Sequence, residues 1–90
     1  MLEISFNALV VSLATSAAVH FGDVRDPSTG RTQVPNLDAA GHMVDLLVVL
    51  ADKTKGNLTP DEEMFITKVV QELRMRLVEA HKEPSSPTAP

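Results

Sequence analysis

No cysteine, tryptophan or tyrosine occurs anywhere in the chain, and phenylalanine appears only at Phe6, Phe21 and Phe65. Without cysteine there are no disulfides and no thiolate metal sites, which fits a reducing compartment. Three aromatic rings are too few to build a platform on which successive bases could stack. Positive charge is scarce as well: 8 Lys and Arg stand against 12 Asp and Glu, a net charge of −4 with His neutral. A general nucleic-acid or anionic-membrane binder needs a basic surface, so neither partner is expected. Charge of either sign is missing altogether from Ile4 to Val19. That stretch imitates a secretory signal, with Ser16-Ala17-Ala18 where cleavage would fall, yet a secretory leader begins with Lys or Arg and this one carries only Glu3. Ser5, Asn7, Ser12, Thr15 and Ser16 also make it a poor membrane span. A buried helix in a cytoplasmic protein is the expected reading.

What is present is apolar periodicity at helical spacing. Ninety residues allow one domain, expected over residues 1–82, and a chain this short buries only roughly 60–65% of its unfolded surface. The pattern predicts an all-α, hairpin-like three-helix bundle completed by homo-oligomerisation. A first helix is expected over about 5–21, with Phe6, Leu9, Val10, Leu13, Ala17 and Phe21 along one face and Gly22 closing it in the left-handed conformation. A loop over 22–35 follows, with strong turn chemistry in Asp26-Pro27-Ser28-Thr29-Gly30. Its length exceeds that of most helix connections. Asn36 should cap a second helix running to about Lys55, with Gly56 as its stop. Leu37, Ala40, Val44, Leu47, Val48 and Ala51 form its core face, widened by Met43, Leu46 and Leu50. Thr59-Pro60-Asp61-Glu62 is a capping box with proline at the first helical position, opening a third helix over 59–81. Its core face is Ile66, Val69, Val70, Leu73, Leu77 and Ala80. The three-proline tail at 83–90 has nothing to bury and is expected to be disordered.

Two helices carry apolar residues away from these core faces. Ala8, Val11, Ser12, Thr15, Ala18 and Val19 line the far side of the first, none of them charged. A helix without a solvated side is central in its fold or lies in an interface. In a three-helix chain the interface is the better reading. Met64, Met75 and Val78 form a weaker stripe on the third helix. The contact residues predicted for a homo-oligomer, a two-fold dimer by preference, are therefore Val11, Thr15, Ala18 and Val19, with Met64, Met75 and Val78 second. An additional protein partner stays open.

A likeness to a family rests on Phe6 through Gly22, Asp26 through Gly30, Asn36 through Ala40, Lys53-Thr54-Lys55-Gly56-Asn57-Leu58-Thr59-Pro60 and Glu72-Leu73-Arg74-Met75-Arg76. In this order, over roughly residues 4 to 80, the chain resembles the bacterial family catalogued as domain of unknown function 1844. The resemblance implies a short helical protein that retains its first segment, and it implies no reaction.

Chemistry-bearing clusters are sparse. Asp38, His42 and Asp45 fall on one helical stripe and are the single weak candidate for a metal or a tuned base, against the alternative of a solvated polar face. His20, beside Asp23 in the following turn, is either a ligand-contacting histidine or a complement to the helix C-terminus. A small-ligand or metal-dependent enzyme built on either cluster is the alternative function. Arg74 and Arg76 are expected to pair with Asp45, Asp52 or Glu72. Lys53, Lys55 and the Gly56-Asn57 turn would form an anion site only if the amides of the third helix were free. No nucleophile elbow, zinc-binding helix, P-loop or dinucleotide fingerprint is present, so no catalytic residue and no cofactor is assigned.

Overall fold

The computed structural model describes residues 5–82. The tail at 83–90, expected to be disordered, and Glu3, weighed as part of a leader, lie outside the described residues. Three helices follow one another: α1 (Phe6–Phe21), α2 (Leu37–Lys53) and α3 (Pro60–Lys82). The described residues hold no strand; a single antiparallel bridge, Arg25 to Thr32, pinches the long loop.

Each helix starts where a side chain can take up its free amides. Ser5, in extended conformation, accepts the Ala8 amide at 3.0 Å to open α1. Asn36 accepts the Ala39 amide at 3.1 Å to open α2. At α3 the capping box closes in both directions: Glu62 Oε1 accepts from the Thr59 amide at 2.9 Å, and Thr59 Oγ1 accepts from the Glu62 amide at 3.2 Å. With those amides engaged, the turn beside Lys53 and Lys55 has fewer donors left for an anion.

The stops differ more from expectation. Gly22 takes φ 81° and donates back to Val19, and Asp23 donates to Ala18, closing α1. Helix α2 ends at Lys53, two residues short of the stop predicted from Gly56. At the end, the Thr54 hydroxyl donates to the Leu50 carbonyl at 2.7 Å beside the Thr54 amide at 3.1 Å, and the next amide, of Lys55, turns to the Asp52 carbonyl at 3.3 Å. Gly56, at φ 89°, belongs instead to the turn that follows.

The core is built in two layers that read along α1 and α3 in one direction and along α2 in the other. In the first, Val10, Leu47 and Ile66 are buried, with Phe6, Leu13, Leu50, Phe65 and Val69 packed round them. In the second, Ala17, Phe21 and Ala40 are buried against Leu37, Met43, Leu73, Leu77 and Ala80. The chain therefore runs up, down and up, each helix touching both others. Leu9 and Leu46, read from the sequence as core positions, sit at the rim and remain partly exposed. No described helix is long and apolar enough to cross a membrane.

Three substitutions probe this packing. Leu47 is fully buried at the junction of all three helices, so Leu47→Ala should cost about 2–5 kcal/mol, read as loss of denaturation midpoint or outright unfolding in circular dichroism. Gly22→Ala and Gly30→Ala both force a left-handed Cβ, at about 1–2 kcal/mol. Only at Gly22 would that Cβ also meet the Gln33 carbonyl and the Pro35 ring, each at 3.1 Å, whereas Gly30 faces open space. Thermal melts should show the larger loss at Gly22; equal losses would mean that the Gln33–Pro35 approach yields freely.

Candidate functional site

The loop between α1 and α2 is held by its own hydrogen bonds. Asp26 is their centre: Oδ1 accepts from the Ser28 amide at 2.9 Å and the Ser28 hydroxyl at 2.7 Å, and Oδ2 accepts from Gln33 Nε2 at 3.0 Å. Its backbone N–H donates to Arg31 at 2.8 Å, and its carbonyl accepts from Gly30 at 2.7 Å. The far end returns to α1, where Asn36 donates to the His20 carbonyl at 2.7 Å. Donation from Ser28, first through its hydroxyl and then its amide, holds the Asp26 carboxyl below its usual pKa, with Gln33 and the nearby His20 acting in the same direction.

This loop stands beside the outer side of α1 and turns it into a groove. Val11, Ser12, Thr15, Ser16, Val19 and His20 line it from the helix; Asp26, Pro27 and Gln33 line it from the loop. The groove encloses about 440 Å³. Val11 is 48% exposed there, and Ala8, Ser12 and Thr15 are exposed along the same side. Val19 is only 7% exposed, and Ala18 is half-buried. Of the four α1 residues assigned from the sequence to a contact, Val11 and Thr15 thus offer the open surface. Val19 already has much of its cover within one chain.

The stripe on α3 lies open over a longer path. Met64 is 69% exposed, Met75 66% and Val78 53%. Charged residues border it closely: Glu63 and Lys68 share a shallow recess with Met64, and Arg74 and Glu79 share another with Met75 and Val78.

The polar clusters read from the sequence do not assemble as sites. Asp38, His42 and Asp45 are all exposed, and among the described residues no group of three or more His, Asp or Glu could hold a metal ion. His20 and Asp23 part company. His20 lines the groove together with Asp26, and its Nδ1 is buried without a hydrogen-bond partner. Asp23 turns instead to α3, where Arg76 grips it with Nε to Oδ2 and Nη2 to Oδ1, both at 2.8 Å. Arg76 also lies 5.2 Å above the centre of the Phe21 ring. Asp23 was not among the partners expected for Arg76, which were Asp45, Asp52 and Glu72; it lies 53 positions away, and folding brings the end of α1 alongside the last turns of α3.

What the sequence reading missed is the part played by Asp26, Pro27 and Gln33 as a wall. The Asp-Pro-Ser signal marks a turn, but a turn's chemistry does not say which helix it will stand against.

The family described as Domain of unknown function (DUF1844) matches residues 3–79, and the chain belongs to that family. No curated protein and no solved structure matches the chain.

The Asp23–Arg76 pair gives a pH-dependent signature. Hydrogen bonding from Arg76 lowers the Asp23 pKa below its ordinary 3.8, so the stabilisation is complete above that value and fades as pH falls through the lower folded-state value. The carboxylate side chain is 40% exposed, so the effect is small, about 0.2–1 kcal/mol. Asp23→Asn should lower the melting temperature slightly at pH 7, and the gap from the parent chain should close in strong acid. A gap that persists there would show a contribution unrelated to the carboxylate's charge.

Proposed function

We propose that this chain is a non-catalytic helical module that works by protein–protein contact and associates with itself as a two-fold dimer. The observation that carries the reading is the open side of α1. Ala8, Val11, Ser12 and Thr15 face solvent in a single chain with no Asp, Glu, Lys or Arg among them. A surface helix normally sets charged residues on the side away from its core. The other two helices do so: Asp38, His42, Asp45 and Asp52 on α2, and Glu63, Lys68, Glu72 and Glu79 on α3, are exposed.

The energetic reason for association is the thinness of the core. Only eight apolar residues are buried among those described. Full burial of a large apolar side chain contributes about 1.5–3 kcal/mol, and total stabilities run to roughly 5–15 kcal/mol. Covering half-exposed Val11 and its copy in a partner adds about 1.5 kcal/mol on that scale. The Met64, Met75 and Val78 stripe is a second apolar surface, open to a further protein. Methionine adapts to differently shaped surfaces through its unbranched side chain. The lack of cysteine supports a place in a reducing compartment, the cytoplasm, as part of this reading.

Size-exclusion chromatography with light scattering tests the reading. The intact chain is expected at the two-chain mass, and Val11→Glu at the one-chain mass with its helical circular dichroism retained. A parent chain that runs at the one-chain mass throughout the micromolar range would overturn the proposal.

A further inference from the structure

We infer that a second copy seats its α1 in the groove between α1 and the loop, so that the two α1 helices pack antiparallel about a two-fold axis with each loop as a side wall. This rests on the dimer reading above and adds to it the identity of the docking groove and its occupant.

Size comes first. A 16-residue helix is about 24 Å long and ~10 Å across, so one side of α1 alone offers far less than the ~800 Å² per partner of a standard interface. Further surface must come from what borders α1. The groove supplies such a border without a break, since Pro27 and Gln33 line the same recess as Val11 and Thr15. The loop also exposes Val24 and Val34.

Charge then selects the occupant. A two-fold contact sets a surface against its own copy, so a surface that carries mostly one sign of charge repels itself. In a chain of net charge −4, the acidic outer side of α2 is unsuited to that. Helix α1 carries no Asp, Glu, Lys or Arg, and so both lines the groove and fits it without repulsion. Asp26 is the one carboxylate at the groove, and it already accepts three hydrogen bonds from Ser28 and Gln33. Covering it leaves no bare acceptor behind. The α3 stripe, by contrast, is flanked by charges of both signs, Glu63, Lys68, Arg74 and Glu79, which a contact there would have to pair or strip of water.

Cysteine placement reads the geometry directly, since the chain has none of its own. Antiparallel α1 helices bring the middle of each outer side onto its own copy, and Ser12 lies there, exposed. Under mild oxidation Ser12→Cys should form an interchain disulfide roughly tenfold faster than Met75→Cys, both compared by non-reducing electrophoresis. Pro27→Glu, which puts a charge on the wall without disturbing a backbone donor, should weaken dimerisation about tenfold. If the parent chain is dimeric but Met75→Cys cross-links faster than Ser12→Cys, the groove is the wrong surface while the dimer stands. If Ser12→Cys cross-links and Pro27→Glu associates like the parent, the loop is not a wall and the inference fails in that part. If the parent is monomeric and neither variant cross-links, the dimer reading falls and takes this inference with it.

Discussion

Sixteen residues from Ile4 to Val19 pass without a charge, and the described residues hold two other helices with which to cover them. That shortage of cover shapes the molecule. Val10, Ala17 and Phe21 take the protected side of α1. The loop that follows shelters Val19 near the helix end, and the middle of the outer side, around Val11, Ser12 and Thr15, stays open. Apolar surface left wet is stabilisation forgone. In a small fold with eight buried apolar residues described, the missing share matters.

The loop shows how an acidic chain arranges its carboxylates near that surface. Asp26 accepts three hydrogen bonds from within the loop, and Asp23 is carried off to Arg76 on α3. Together with the Asn36-to-His20 backbone bond, these contacts fix the loop at its start, its tip and its end. The groove beside α1 is consequently a defined shape and not a gap under a slack connection. Arg76 also packs over Phe21, so the ion pair and the second core layer are joined at the same corner. A lysine there could not supply the same paired donors and stacking plane.

Elements governed by local chemistry were readable before folding. Gly22, Asn36 and the Thr59–Glu62 box each act on residues a few positions away, and each marks its helix end in the structure. Periodicity likewise identified Val10, Leu47 and Ile66 as inward-facing. The end of α2 at Lys53 was not legible because Gly56 is the strong local signal, whereas the tightening at Lys55, whose amide bonds Asp52, has no residue-type signature. The Asp23–Arg76 bond escaped for a different reason: 53 residues separate the partners, and only the packing of α1 on α3 makes them neighbours. The wall formed by Asp26, Pro27 and Gln33 belongs to the same class. Its turn was visible, but its position was not.

Linkage between folding and association provides the most direct test of the claim that one copy is short of cover. If burial of the α1 flank by a second copy is part of the folded state's stability, mass action ties the melting temperature to concentration. Scanning calorimetry over about a hundredfold range of protein concentration should show the melting temperature rising steadily as the solution becomes more concentrated. A melting temperature that stays constant across the whole range would contradict the account, because it would mean that a lone chain tolerates the exposed side of α1 at no cost a partner can relieve.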